Sequence, residues 1–242
     1  MAGLHDISAV ILAGGLGTRL RSVVADRPKV LAEVNGRPFL CYLLDELTAA
    51  GIRRIILCTG YMAETVSSIL GPRYGDAELL YSVESEPLGT GGAVRLALSL
   101  VTSETVLVMN GDSFCDVDLL QFAEEHFRHG AAASLALAEV ADVSRYGAVD
   151  IALDGTITSF EEKGSRSGRG KINAGIYLLT KPLLAAIPAA VPYSLERDLF
   201  PGLIGNGLYG HAQPGRFIDI GVPDDYQAAA AFFHDQHECK TS

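Results

Sequence analysis

A run of glycines followed by two cations lies near the start of the chain. Residues 9–12 (Ala-Val-Ile-Leu) are typical of a buried parallel strand, and residues 14–17 (Gly-Gly-Leu-Gly) follow soon after. Glycines let the backbone turn tightly and approach a ligand, and successive N–H groups in such a loop form a concave anion site. The guanidinium of Arg19 and the ammonium of Lys29 would add positive charge beside it. The stretch therefore predicts a triphosphate cradle, against the alternative of a glycine-rich turn with two surface cations.

Two common phosphate-binding motifs do not describe this stretch. The P-loop needs a Lys-Ser or Lys-Thr pair that closes a longer glycine spacing, and the dinucleotide fingerprint needs a small residue where Leu20 stands. Residues 12–20 with the downstream Pro28-Lys29 instead resemble the signature of the sugar-phosphate nucleotidyltransferases. That resemblance implies that Arg19 and Lys29 meet the phosphates of a nucleoside triphosphate. It assigns the loop's nucleotide contacts to Leu12, Ala13, Gly14, Gly15, Gly17 and Thr18.

A second glycine-rich run, residues 84–93 (Glu-Ser-Glu-Pro-Leu-Gly-Thr-Gly-Gly-Ala), follows a predicted strand at 79–83. Such a loop lets backbone groups contact the edge of a flat ring, whereas the simpler interpretation is a strand-to-helix turn capped by Thr90. The run resembles the base-recognition loop of the same family, which implies nucleotide contacts for Glu84, Glu86, Gly89 and Thr90. A carboxylate only accepts hydrogen bonds, and guanine has paired N–H donors on its Watson–Crick edge whereas uracil and thymine have one. The two glutamates therefore favour GTP.

Two aspartates stand where strands are predicted to end. Asp112 follows the apolar run 105–109, and Asp219 lies among apolar neighbours in residues 216–221 (Arg-Phe-Ile-Asp-Ile-Gly). Mg²⁺ prefers one or two carboxylates together with phosphate oxygens and water. The alternative for Asp112 is a cap on the next helix, but Asp118 is better placed for that role. Asn-Gly-Asp and Phe-Ile-Asp-Ile-Gly also resemble the metal-binding blocks of the family, so we expect Asp112 and Asp219 to hold Mg²⁺.

The second half of the chain departs from strict alternation of strand and helix. Residues 131–140, 147–151 and 156–160 are predicted strands, in a pattern similar to the family's mixed sheet, where the acceptor sugar binds. The blocks Arg-Tyr-Gly-Ala-Val, Phe-Glu-Glu-Lys and Asn-Ala-Gly-Ile-Tyr resemble family blocks in that sheet. The resemblance implies that Lys163 holds the sugar phosphate. It also implies that sugar hydroxyls contact Gly147, Glu162 and Asn173; without it, Glu162 and Lys163 would be an ordinary solvated pair.

The overall pattern predicts a single α/β domain. Helical spacing over residues 38–50 and 62–70 alternates with short apolar runs such as 54–58. Such alternation predicts a doubly wound, mostly parallel, Rossmann-like sheet whose ligands sit beyond the carboxyl ends of the strands. By resemblance it is the mixed sheet of the nucleotide-diphospho-sugar transferases. We expect residues 1–130 to form mainly the nucleotide-binding half and residues 131–242 mainly the sugar-binding half.

Charge and cysteine usage narrow the class of protein. A net charge of −10 argues against non-specific nucleic-acid binding. Anionic substrates would then need a local positive cleft, for which Arg19, Lys29, Lys163 and a divalent cation are the candidates. The 4 cysteines are far apart, without a Cys-x-x-Cys pair, so we expect reduced thiols in a cytoplasmic protein. The sequence contains neither an apolar run long enough to span a membrane nor the pattern of a signal peptide at its start.

Family blocks occur in family order along nearly the whole chain. The resemblance implies an enzyme that joins a nucleoside triphosphate to a sugar 1-phosphate, giving a nucleotide-sugar and pyrophosphate. Within the family, residues 14–24 and 35–40 are most similar to the guanylyltransferases for D-glycero-α-D-manno-heptose 1-phosphate, which serve bacterial surface polysaccharide in capsule and lipopolysaccharide. Mannose 1-phosphate guanylyltransferases and N-acetylmuramic acid 1-phosphate uridylyltransferases are the alternatives within this class.

Two other classes stay open on the sequence. A non-catalytic sugar-nucleotide-binding subunit should have lost an arginine, lysine or aspartate of the predicted site, and all of them are present. A glycosyltransferase usually has Asp-x-Asp at its metal, and here that spacing, at residues 116–118, falls beyond the predicted strand end. The oligomeric state is also left open, a homo-oligomer included.

Overall fold

The computed structural model describes residues 4–15, 20, 27–161 and 164–239. The strands of this part of the chain are β1 (Ser8–Leu12), β2 (Glu33–Val34), β3 (Arg37–Pro38), β4 (Arg54–Thr59), β5 (Arg73–Tyr74), β6 (Ala77–Val83), β7 (Thr105–Asn110), β8 (Ser113–Cys115), β9 (Ala133–Val140), β10 (Val149–Ile151), β11 (Ile157–Phe160), β12 (Gly170–Thr180), β13 (Leu208–Ala212) and β14 (Phe217–Asp219). The α-helices are α1 (Phe39–Ala49), α2 (Ala63–Leu70), α3 (Gly89–Ala97), α4 (Leu119–His129), α5 (Lys181–Ala185) and α6 (Pro223–Cys239).

A mostly parallel sheet forms the centre of the molecule. Across the described residues its 8 strands follow the order β13-β9-β12-β7-β1-β4-β6-β5. The pairs around β1 are parallel, whereas β12 runs antiparallel to both of its neighbours, β7 and β9. The predicted doubly wound, mixed sheet is therefore confirmed, and its departure from strict alternation begins after α4, where the sequence pattern changes.

Helices cover both faces of this sheet because successive side chains of a central strand point to opposite sides. In β1, Ala9 and Ile11 join the core layer that includes α1, α4 and α6, whereas Val10 joins the layer that includes α3 and α5. All three side chains are fully buried. Such a continuous apolar run is what a parallel strand covered on both faces requires.

Helix ends explain two of the polar side chains, Asp118 and Ser194. Asp118 accepts hydrogen bonds from the backbone N–H groups of Leu120 and Gln121, so it caps α4 as predicted. The pattern Ser-Leu-Glu-Arg-Asp predicts a helix capped by Ser194, and Ser194 does accept from the N–H of Arg197 at the start of a π-helical turn. The alternative interpretation of Thr90 as a helix cap is wrong, because α3 begins at Gly89 and Leu88 stands at its N-cap.

Three small antiparallel pairs accompany the central sheet in the described part of the chain: β2 with β3, β8 with β14, and β10 with β11. Strand β14 pairs with β8, which places Asp219 opposite Ser113. The hairpin of β10 and β11 lies against β13 at the edge of the central sheet, where Thr156 bridges Tyr209 and the N–H of Gly210 donates to the carbonyl of Gly155 at 2.8 Å. Among the described residues no helix is both long and apolar enough to cross a membrane. Cys41, Cys58 and Cys115 are free thiols, as expected.

Candidate active site

Two adjoining cavities open beyond the carboxyl ends of β1 and β7. The smaller one has a volume of about 300 Å³ and lies between the first glycine-rich loop and the start of α3. The larger one has a volume of about 430 Å³ and is lined mainly by β12, the residues at the two ends of the β10–β11 hairpin and the segment 194–197. Asn110 and Asp112 line both cavities, because β7 ends at Asn110, where the two cavities adjoin. Ligands in the two cavities would therefore meet at these two side chains.

The smaller cavity brings together most of the residues predicted to bind the nucleotide. Ala13 does not line it: this residue is buried, and its N–H donates to the carbonyl of Cys58 at 2.8 Å. Glu86 is exposed and also stands outside the lining. Gly17, Thr18 and Arg19 lie outside the described residues. The predicted residues that do line the cavity are Leu12, Gly14, Gly15, Glu84, Gly89, Thr90 and Asp112.

The glycines at the start of α3 serve the packing of the chain on itself. A Cβ on Gly91 would stand 2.7 Å from the ring of Tyr193, and one on Gly92 would stand 2.9 Å from the carbonyl of Val191. The N–H groups of both glycines donate to the carbonyl of Tyr193, at 2.8 and 3.1 Å. These two backbone donors are therefore used within the protein and are not available to a base, whereas Gly89 of the same run lines the cavity.

Glu84 is held beside the first glycine-rich loop. Its Oε2 accepts a hydrogen bond from the N–H of Leu88 at 3.0 Å, which closes the turn before α3. Its Oε1 lies so close to Gly14 that a Cβ there would stand 2.2 Å away. The carboxylate thus lies against both glycine-rich loops, and Glu84 lines the smaller cavity.

One cation and two carboxylates stand where the cavities adjoin. Lys29 is presented by a short 3₁₀ turn, and its ammonium donates to Oδ2 of Asp112 at 2.7 Å and lies 3.7 Å from Oδ1 of Asp219. The pairing of β14 with β8 brings Asp219 here, and the N–H of Ile220 donates to the carbonyl of Asp112 at 2.9 Å. The lysine side chain is only 10% exposed, so its charge acts in a partly desolvated setting where it counts for more than at the surface.

The donor set of Asp112 and Asp219 fits Mg²⁺. Both carboxylates lie close to the same cationic atom, Lys29 Nζ, and both line the larger cavity. Among the described residues no cluster of three or more His, Cys, Asp or Glu side chains could hold a metal. Two carboxylates leave the remaining coordination positions to phosphate oxygens and water, which is the arrangement that Mg²⁺ prefers over a complete protein cage.

The larger cavity contains Gly147 and Asn173 of the predicted sugar site, whereas Glu162 and Lys163 lie outside the described residues. The strand that carries Asn173 shifts its register against β9 between Asn173 and Tyr177. Gly175 sits in this irregularity with a φ of +78°, and a Cβ there would stand 2.6 Å from Nδ2 of Asn110. The bend therefore depends on glycine and brings β12 against the end of β7.

Hydroxyl and amide groups form a network in the wall of this cavity. Asn173 Nδ2 donates to the hydroxyl of Tyr177 at 2.9 Å, and that hydroxyl donates to Oε1 of Glu196 at 3.1 Å. Burial and the charge of Glu196 raise the pKa of Tyr177 well above its usual value, so its hydroxyl stays a donor at neutral pH. The Asn173 carbonyl oxygen accepts from the N–H of Gly175 at 2.9 Å, which fixes the other end of the amide.

Several lining residues were not predicted from the sequence. Tyr177 ends the block Asn-Ala-Gly-Ile-Tyr, but the sequence assigned it no role. Glu196 was interpreted as an acidic residue in the first turn of a capped helix. Position on the strand that also carries Asn173 is the signal that could have found Tyr177, because alternate residues of one strand share a face. No comparable signal marks Glu196, which lies in a helical turn. The unpredicted residues of the larger cavity are Asn110, Ser113, Tyr146, Phe160, Glu161, Ala174, Gly175, Tyr177, Ser194, Glu196, Arg197 and Phe217.

Known proteins resemble this chain in sequence and in fold. Residues 8–236 match the model of the family described as nucleotidyl transferase. The chain is 41% identical over 224 residues to a D-glycero-alpha-D-manno-heptose 1-phosphate guanylyltransferase of Aneurinibacillus thermoaerophilus, covering 92% of this chain and 96% of that protein. It is 38% identical over 220 residues to the enzyme of the same name from Campylobacter jejuni, covering 91% and 97%. The crystal structure of HddC from Yersinia pseudotuberculosis complexed with GMP-PN superposes with a TM-score of 0.82 at 38% identity, covering 94% of this chain and 99% of that one.

Proposed function

Because the chain belongs to the nucleotidyl transferase family, we propose that it transfers GMP from GTP to D-glycero-α-D-manno-heptose 1-phosphate, releasing pyrophosphate. Two relatives named for this reaction align with nearly the whole chain and are covered nearly to their own ends. The solved neighbour named HddC was crystallised with a guanine nucleotide analogue, which supports GTP as the donor here. A product that serves capsule or lipopolysaccharide, and a cytoplasmic location, belong to the same proposal.

The observation that carries the proposal is the meeting of two cavities at Asn110 and Asp112. A triphosphate in the smaller cavity and a sugar phosphate in the larger one would present their reacting groups at this junction. Holding two reactants in line is the main contribution that a protein makes to phosphoryl and nucleotidyl transfer. We assign the acceptor site to the larger cavity, whose wall carries Asn173 and Gly147. Lys163, assigned from the family resemblance, would bind the phosphate of the sugar.

The reaction needs no general base, because the attacking phosphate oxygen is already ionised. That oxygen forms a bond to the α-phosphorus while the bond from the α-phosphorus to its bridging oxygen breaks, and the pyrophosphate leaves with the electron pair. Lys29 would neutralise charge on the phosphates, together with Arg19 in the first loop. Asp112 and Asp219 would hold Mg²⁺, which supplies further neutralisation of the triphosphate when bound.

A matrix of four nucleoside triphosphates against several sugar 1-phosphates tests this function. Pyrophosphate release is measured with the purified chain in the presence of Mg²⁺, and the sugar phosphates include the heptose, mannose and N-acetylmuramic acid compounds. We expect the highest kcat/KM for GTP with the heptose 1-phosphate. Highest turnover of UTP with N-acetylmuramic acid 1-phosphate would contradict the assignment, and release of a nucleoside diphosphate without pyrophosphate would indicate glycosyl transfer instead.

A further inference from the structure

Glu196 lies at the boundary between the two cavities and accepts hydrogen bonds from three hydroxyl groups. Its Oε1 accepts from Tyr177 at 3.1 Å, and its Oε2 accepts from Thr90 at 2.7 Å and from Ser194 at 2.9 Å. Hydrogen bonds to an ionised acceptor are stronger than those between neutral groups, so the three hydroxyl groups are joined through one strong acceptor. Thr90 lines the smaller cavity and Tyr177 lines the larger one, so Glu196 links the two cavities directly.

One branch of the link leads to the smaller cavity. Thr90 lines that cavity from the first turn of α3, and its hydroxyl donates to Glu196 while accepting from the N–H of Leu195 at 2.9 Å. Both contacts come from the segment 193–196, which is also fastened to α3 through the carbonyl of Tyr193. The orientation of Thr90 therefore depends on where this segment stands.

The other branch leads to the larger cavity. Tyr177 is fully buried, and its hydroxyl accepts from Asn173 Nδ2 and donates to Glu196. The Asn173 amide is thereby held at both ends, since its oxygen accepts from Gly175 N–H. One amide N–H and one lone pair of Asn173 stay available for a sugar hydroxyl, and their direction is set by the chain of bonds that ends at Glu196.

We propose that Glu196 is a positioning residue that couples the two substrates: filling the smaller cavity orders Thr90 and, through the shared carboxylate, pre-orients Asn173 for the sugar. The proposal rests on the proposed function, because it takes the occupants to be a nucleotide and a sugar 1-phosphate. A ligand that finds its partners already ordered has less conformational entropy to lose, so each substrate should bind more tightly in the presence of the other. The coupling must be reciprocal, since it is a difference between binding free energies.

Calorimetric titration of the full chain with Mg²⁺ measures this coupling. The sugar 1-phosphate that is turned over fastest in the substrate matrix is titrated with and without a saturating GTP analogue whose α–β bridge is a methylene group. We expect the analogue to raise the affinity for the sugar phosphate by about fivefold or more. Thr90→Val should leave the affinity for the sugar phosphate alone unchanged and remove the enhancement, because the substitution acts on the nucleotide branch only.

Thr90→Ser is the matched control, since it keeps the hydroxyl and should keep the enhancement. Tyr177→Phe is the second, independent variant: it should leave affinity for the analogue alone unchanged and also remove the enhancement. If either Thr90→Val or Tyr177→Phe, folded as judged by circular dichroism, keeps the full enhancement, or if the natural chain shows none, the coupling role of Glu196 is wrong. Absence of pyrophosphate release with every sugar 1-phosphate would instead overturn the proposed function, and the coupling with it, so the two failures are distinguishable.

Discussion

The two cavities are built from different parts of the polypeptide. The lining of the smaller one includes three glycines, Gly14, Gly15 and Gly89, whereas the larger one is lined mainly by amide, hydroxyl, carboxylate and aromatic side chains such as Asn173 and Tyr146. Glycine loops can approach phosphates closely but carry little information about the rest of a ligand. Side chains on strands can match individual hydroxyl groups. The difference indicates that many side chains of the larger cavity can select the sugar, whereas few side chains of the smaller cavity, Glu84 among them, can select the nucleotide.

The largest effect is expected where the two cavities adjoin, because Asp112 lines both of them. Asp112→Asn and Asp219→Asn should each lower kcat by on the order of 100-fold to 1,000-fold, because the negative charge that holds the cation is removed. Pyrophosphate release at saturating substrates measures the loss, and circular dichroism checks that the fold is retained. Removal of Mg²⁺ with EDTA should abolish turnover of the natural chain. A folded Asp219→Asn variant with normal kcat would remove this carboxylate from the metal site.

A smaller effect, confined to the kinetics of the sugar phosphate, is expected from a substitution in the predicted sugar site. Lys163→Met should lower kcat/KM for the sugar phosphate by about 100-fold, because a misplaced phosphate oxygen misses the in-line geometry. Affinity for GTP, titrated without the second substrate, should change little. Arg169→Met is the control: Arg169 is 77% exposed and paired with Glu139 at 2.7 Å, an exposed ion pair whose loss should change activity little. Equal weakening of GTP and sugar phosphate by Lys163→Met would place the lysine elsewhere.

Selectivity for the base tests whether any side chain reads the nucleotide. Glu84→Gln keeps an oxygen for the N–H of Leu88 but places an amide N–H₂ where an acceptor stood. The preference for GTP over UTP, as a ratio of kcat/KM values, should fall by an amount equivalent to about 1–3 kcal/mol. Glu86→Gln should have a much smaller effect, because Glu86 is exposed and does not line the cavity. A natural chain that uses UTP and GTP equally would refute the role of Glu84.

The smallest effects compare one glycine from each cavity. In Gly14→Ala the new Cβ would stand 2.2 Å from Oε1 of Glu84, a flexible side chain that can move, so KM for GTP should rise while stability falls by only about 1 kcal/mol. In Gly147→Ala it would stand 2.7 Å from the carbonyl of Glu161, and backbone yields less easily. We expect about 1–3 kcal/mol lower stability and a higher KM for the sugar phosphate. Urea denaturation and steady-state kinetics separate the two outcomes, and equal effects of both variants on both substrates would contradict the distinction between the cavities.

Local signals in the sequence predicted the parts of the fold that depend on neighbouring residues. The apolar run of β7, the cap at Asp118 and the helix α1 all follow from patterns within a few positions. The meeting of Asp219 with Lys29 depends on pairing between strands far apart in the chain, so only the family resemblance pointed to a shared role. The link through Glu196 was missed for the same reason, because hydroxyl donors on three separate elements leave no pattern in the sequence. The site residues of the first loop, the expected division into two halves and the Mg²⁺ stay predictions.

The hairpin of β10 and β11 also covers an edge strand of the central sheet, which restricts the changes that this protein can accept during evolution. One of its ends carries Gly147 and leads into the larger cavity, while its turn covers the outer edge of β13 through Thr156 and Gly155. An uncovered edge strand offers unpaired N–H and carbonyl groups to any other extended chain, which promotes aggregation. Insertions or deletions in this hairpin that suit a new sugar would therefore expose that edge. Point substitutions avoid this cost, so diversification of the acceptor is expected to proceed by exchange of side chains at constant hairpin length.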